Sequence, residues 1–434
     1  MTGQWRPVAA ASVGNALEWL SFTAYTLAAS TIAEQYFPGQ DETGSLLLTF
    51  GTVALAYGVR PVGALVLGAY ADRAGRMPAL MASIRIMVLA TLIITFLPGY
   101  DTIGIAAPIG MVLAMLMQGF SAGGEFGSAT GYLVEQNANR RGLMASWQAA
   151  SQALATVLAT LLLLITSRAL NDAQFEAWGW RVPFAFGLLL GPVGYHIRKN
   201  LSETPEFSQA RRTTPAKHPV VRTLGSHKTR MALCIGILAV STAYSYLITF
   251  MPTYAIRQYD LPASTGFTTV MLTGSIMVLI APLAGHVSDV IGRTKMLTIA
   301  AAGIAVTSVP LFLLFRAAPS FATMGIVMTL MGLIKPWYTG PLAARMAELF
   351  PTTVRGTGLS ISYNVGVVLF GGLTPVAVTW LLATLDTPLA PAFWLTALAV
   401  LSLAVVLVSD RYVHTTDQTV PETQARTTSR HEKV

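Results

Sequence analysis

Residues 68–76 read Gly-Ala-Tyr-Ala-Asp-Arg-Ala-Gly-Arg, and residues 285–293 read Gly-His-Val-Ser-Asp-Val-Ile-Gly-Arg. They share the frame Gly-x-x-x-Asp-x-x-Gly-Arg, with Gly68, Asp72, Gly75 and Arg76 in one copy and Gly285, Asp289, Gly292 and Arg293 in the other. The copies start 217 residues apart, half of the chain's 434. Each follows the second long apolar stretch of its half. A frame that recurs in one topological slot at half the chain length predicts two halves of like topology, related by an axis along the membrane normal.

The surrounding sequence supports a membrane setting. Hydrophobic residues make up 53% of the chain and charged residues only 11%, with mean hydropathy +0.57. A soluble domain carries about 25% charged residues, so the surface of this chain is not built for water. A membrane helix needs about 20 apolar residues. Twelve such runs occur, near 9–32, 46–70, 79–97, 105–133, 143–166, 181–197, 231–255, 267–287, 296–315, 322–349, 357–382 and 391–409. The fold class is therefore all-α integral membrane, with twelve transmembrane helices in two six-helix halves. Span one is too long for a signal sequence and carries Asn15 and Glu18, so it is read as part of the mature chain.

Charge sets orientation. Arg73, Arg76, Arg140, Arg141, Arg293 and Lys295 fall in loops that follow even-numbered spans, whereas acids dominate the opposite loops. Basic loops face the cytoplasm, so both termini are expected there, in a bacterial inner membrane. The net charge of +8 follows from this topology and does not call for a nucleic-acid partner. The halves are read as 1–198 and 231–414, joined by a basic cytosolic linker, 199–230. The tail, 415–434, is polar and expected to be disordered. The single cysteine, Cys234, excludes an internal disulfide, and no cofactor or metal site is expected. No phosphate-binding Gly-Lys-Ser/Thr loop is present, so ATP is not the direct energy source.

Within the repeated frame, Gly68 and Gly285 suit close helix approach, and Gly75 and Gly292 suit a tight turn. Asp72 and Asp289 can accept from a helix N-terminus, while Arg73, Arg76 and Arg293 can reach a facing helix end. The frame is read as a conformational latch between the halves on the cytosolic side.

This frame resembles the loop 2–3 motif of the major facilitator superfamily. The first copy matches in full; the second has Val290 where the motif has Arg. Further stretches resemble that superfamily's metabolite:proton symporter branch: Gly14–Trp19, Arg60–Ala64, Gln118–Gly127, Trp178–Phe184 and Glu203–Phe207. Leu97–Gly104 and Phe370–Pro375 look most like citrate carriers. The resemblance implies alternating access and a substrate among organic acids, proline and betaines. It also implies an acid at position 21, where this chain has Ser21, so proton coupling would pass to Glu18 or Glu125, or be absent.

Charges inside spans are costly and are functional candidates: Glu18, Arg60, Arg85, Glu125 and Lys335. Asn15, Glu18, Ser21 and Tyr25 recur at helical spacing on span one. Gln118, Glu125 and Tyr132 do so on span four, beside glycines read as packing residues. Gln148 and Gln152 are four apart on span five. Lys335 precedes Pro336, which should kink span ten. The candidate substrate-binding set is Asn15, Ser21, Tyr25, Arg85, Gln118, Gln148, Gln152, Lys335, Tyr338 and Asn364, with Glu18 and Glu125 for protons. Each acid has an alternative reading as a structural partner of arginine. The function expected is proton symport of a small di- or tricarboxylate such as citrate by a monomer. The alternatives are an exporter of an organic anion or drug, an importer of a zwitterionic osmolyte, and a membrane metabolite sensor.

Overall fold

A computed structural model describes residues 5–38, 42–199, 219–261 and 263–418. Among the described residues the fold is helical, with no strand. The spans are α1 (Trp5–Leu27), α2 (Glu42–Ala74), α3 (Arg76–Phe96), α4 (Ala106–Glu135), α5 (Arg141–Ala169), α6 (Val182–Lys199), α7 (Lys228–Tyr259), α8 (Ala263–Ile291), α9 (Arg293–Ala317), α10 (Phe321–Ile334 and Pro336–Glu348), α11 (Arg355–Gly366, a π-helical turn Val367–Gly372, and Thr374–Leu385) and α12 (Ala390–Gln418). Among the described residues, eight helices are long and apolar enough to cross a membrane unaided by context. Of the other four, α1 carries Asn15 and Glu18, α6 is short, α10 is broken at Lys335-Pro336 and α11 at its π turn. Leu279, Val290 and Val306 are more than 70% exposed, as suits helices whose outer faces meet lipid.

Several expected boundaries shift. Span one ends at Leu27 and a separate short helix, Ala29–Tyr36, follows it. The last helix runs to Gln418, so the start of the expected tail is helical; 419–434 lie outside the described residues. Most of the expected linker, 200–218, also lies outside them, and Pro219–Ser226 forms a short helix.

Inside each half, bare helix backbones meet. A Cβ at Gly123 of α4 would stand 2.1 Å from the Arg60 carbonyl oxygen of α2, and one at Gly119 would stand 2.1 Å from that of Ala56. The α4 glycines are thus packing residues.

The two repeated turns bind the halves together at one end of the molecule. Asp72 at the end of α2 accepts from the backbone N–H of Gly356 (3.0 Å) and Thr357 (2.8 Å), the first turn of α11. Asp289 at the end of α8 accepts from Gly142 (2.8 Å) and Leu143 (2.9 Å), the first turn of α5. Each carboxylate sits on the positive end of a helix in the other half. Arg76 pairs with Asp72 at 2.6 Å and reaches the Thr352 carbonyl at 3.1 Å. Arg293 pairs with Asp289 at 2.8 Å and with Glu348 at 2.6 Å. Gly75 and Gly292 have φ of 125° and 96°, which a side chain would strain. A Cβ on Gly68 would stand 3.1 Å from the Thr357 Cα, and one on Gly285 would stand 2.6 Å from the Gly142 carbonyl oxygen. Arg73 is exposed. Glu135, absent from the sequence reading, holds both Arg76 (3.5 Å) and Arg355 (2.8 Å).

Candidate transport cavity

Between the halves lies a cavity lined by seven spans. Asn15 and Trp19 come from α1, Phe126 from α4, and Gln148 and Gln152 from α5. Ser241, Thr242, Ser245 and Tyr246 come from α7, Met277 from α8, Lys335 and Thr339 from α10, and Tyr363 and Val367 from α11. Among the described residues, Lys335 is the one charged side chain in this wall. It sits where α10 breaks, because Pro336 has no N–H to continue the ladder. Its Nζ donates to Ser245 Oγ at 2.6 Å. Among the described residues no carboxylate pairs with it. Asn15 Nδ2 donates to the Gln148 carbonyl (2.9 Å) and Ser151 Oγ (2.7 Å), which ties α1 to α5 at cavity depth.

The floor, on the side of the repeated turns, closes by contacts across the halves. Phe126 and Tyr363 stack with centroids 3.6 Å apart and planes 7° off parallel. Asn364 Nδ2 donates to the Gly123 carbonyl at 2.8 Å.

Four of the ten expected substrate residues line the cavity: Asn15, Gln148, Gln152 and Lys335. The other six do not. Ser21 faces Thr91 of α3 (3.5 Å), and Gln118 donates to the same hydroxyl at 3.3 Å. Tyr25 pairs with Thr52 of α2 at 2.5 Å. Tyr338 donates to the Ile237 carbonyl at 2.7 Å. Asn364 belongs to the floor. Arg85 is exposed on the outer face, where it donates to Tyr195 at 3.0 Å. The reason on α1 is rotational. Steps of three residues fall about 60° short of a full turn, so Asn15, Glu18 and Ser21 address α5, α2 and α3 in succession.

The acids are internal to the first half. Glu18 accepts from Arg60 Nη2 at 2.6 Å, with Arg60 fully buried. Glu125 accepts from the Ser83 hydroxyl. Arg345 pairs with Glu348 and Asp410, away from the cavity. Sequence reading missed Trp19, Phe126, Ser241, Thr242 and Ser245. The α7 set carried a signal, since hydroxyls at 241, 242 and 245 share one face of an otherwise apolar span.

The sequence profile of the Major Facilitator Superfamily matches residues 11–361. The chain belongs to the major facilitator superfamily. Among its relatives, a citrate-proton symporter of Salmonella typhi is 36% identical over 393 residues, 90% of each chain. A citrate-proton symporter of Klebsiella pneumoniae is 34% identical, over 90% of this chain and 88% of the relative. A putative proline/betaine transporter of Staphylococcus aureus (strain COL) is 31% identical, over 92% and 87%. The proton:xylose symporter XylE superposes with a TM-score of 0.76 at 15% identity, covering 95% of this chain and 96% of that one. The chain is thus a multi-pass secondary transporter of twelve spans, not an enzyme.

Proposed function

We propose that this transporter carries a small organic anion into the cytoplasm by proton symport, working as a monomer in a bacterial inner membrane with both termini cytoplasmic. One observation supports the anion above others: Lys335 is the single charge in the cavity wall and has no acidic partner among the described residues. A buried cation without a counter-ion is expensive, and a substrate carboxylate would supply one. Asn15, Gln148, Gln152 and Ser245 offer neutral hydrogen bonds to the rest of a hydroxylated or carboxylated molecule. The 34–36% identity to citrate-proton symporters supports the same class. Glu18 and Glu125 are the proposed proton carriers, because both lie at membrane depth in a half that rocks. The Asp72 and Asp289 contacts are the proposed cytoplasmic latch. They hold the cavity shut on that side while it loads from outside.

A second reading has its own support. Trp19, Phe126, Tyr246 and Tyr363 give the wall four aromatic rings, a surface that suits a quaternary ammonium, and a relative is described as a putative proline/betaine transporter. In that reading Lys335 would take the carboxylate of the zwitterion. A thermal-shift screen of the purified protein against citrate, succinate, proline and glycine betaine separates the two. Stabilisation by the carboxylic acids, lost in Lys335→Ala, supports the anion. Stabilisation by betaine alone rejects it. Uptake of the stabilising compound into right-side-out and inside-out vesicles reads direction. Accumulation in inside-out vesicles alone would make the protein an exporter.

A further inference from the structure

Behind the cavity wall lies a second cation that the transport cycle as described leaves unused. Arg60 of α2 is fully buried, and its Nη2 is held by Glu18. Its Nε and Nη1 have no hydrogen-bond partner among the described residues. The guanidinium sits 4.5 Å from the Tyr57 ring centroid, 4.9 Å from Phe22 and 6.0 Å from Trp19. Trp19 is itself part of the cavity wall, so Arg60 is one side chain away from the substrate space. Burying two guanidinium nitrogens without partners costs free energy that a structural ion pair does not explain. Facing the pair from other elements are Glu125 of α4, Tyr246 of α7 and Tyr363 of α11. Among the described residues, no second cation pairs with the Glu18 carboxylate.

From this arrangement we infer that Arg60 is a second anion anchor, masked by Glu18 until Glu18 takes up a proton. The inference rests on the anion reading and deepens it. With Glu18 ionised, the pair is neutral and the cavity presents one positive charge, Lys335. With Glu18 protonated, Arg60 loses its counter-ion, and its unpartnered Nε and Nη1 lie behind Trp19, one side chain from a cavity that then has a second cation at its edge. A substrate with two carboxylates then satisfies both; a monocarboxylate satisfies one. Proton and second carboxylate become mutually dependent, which is the coupling a symporter needs.

The test uses the full-length protein at pH 8, with succinate and butyrate as matched four-carbon probes, read by isothermal titration. Glu18→Gln imitates the protonated acid. It should bind succinate about tenfold tighter than the parent, the low end of what one hydrogen bond to a charged group contributes, and butyrate within twofold. Adding Arg60→Gln should erase the gain. If Glu18→Gln folds poorly, the parent protein still decides. Titration in two buffers of different ionisation enthalpy should show about one more proton taken up with succinate than with butyrate. Equal changes for both probes, or equal proton uptake, would overturn the masked anchor while Lys335-dependent binding left the anion reading standing. Failure of the parent to bind succinate, butyrate or citrate would remove both.

Discussion

Replacing Asp72 by Asn tests the latch with little change in shape. In the parent, the carboxylate accepts two backbone N–H bonds from Gly356 and Thr357 and one from Arg76. Hydrogen bonds to a charged acceptor contribute about 1.5–3 kcal/mol each. The amide keeps one acceptor oxygen but turns an N–H₂ toward a donor, and it no longer answers the positive end of α11. A net loss of about 3 kcal/mol is expected, and at about 1.4 kcal/mol per tenfold the state open on the latched side rises roughly a hundredfold. The readout is labelling of a Thr339→Cys cavity probe by an impermeant thiol reagent in inside-out vesicles. The background is low because the native Cys234 is fully buried. Asp289→Asn should act alike, since Asp289 makes the matching pair of bonds to Gly142 and Leu143. If Asp72→Asn labels at the parent rate from that side, the repeated turns are not what holds the halves closed.

Three further outcomes are expected. Glu125→Gln should abolish gradient-driven accumulation while sparing substrate exchange; full accumulation in that variant would remove Glu125 from proton coupling. Gly123→Val should cost about 3 kcal/mol or more by overpacking, because its Cβ would stand 2.1 Å from the Arg60 carbonyl oxygen; a thermal midpoint equal to the parent's would contradict the close α2–α4 packing. Arg85→Ala should leave substrate affinity within twofold, since Arg85 is exposed and bonded to Tyr195; a large loss would return it to the cavity.

The sequence carried the architecture because lipid allows few solutions. Long apolar runs can only be spans, and the repeated frame at Asp72 and Asp289 placed the halves. The site was less legible because helix spacing names a face only relative to neighbours that sequence does not supply. Gln148 and Gln152, four apart, do share the cavity wall, as do Asn15 and Trp19. Glu18, Ser21 and Tyr25 turn away into the first half, where Arg60, Thr91 and Thr52 meet them. Arg85 shows the opposite failure: one charge in an apolar run has no partner in sequence to say which side of the helix faces lipid. The π turn of α11 left no hydropathy signal, since inserting one residue in a turn changes backbone pairing and not composition.

Lys335-Pro336 and the π turn at Val367–Gly372 share one property: both interrupt a helix at the level of the cavity. Bending is cheapest where ladder bonds are already missing. The stretches of α10 and α11 beyond these breaks can tilt as short levers while their other ends stay clamped by Glu348 and by the Asp72 contacts. The second half therefore has an elbow at substrate depth, so a bound molecule can be covered by a local flexion before the two halves change their relative orientation.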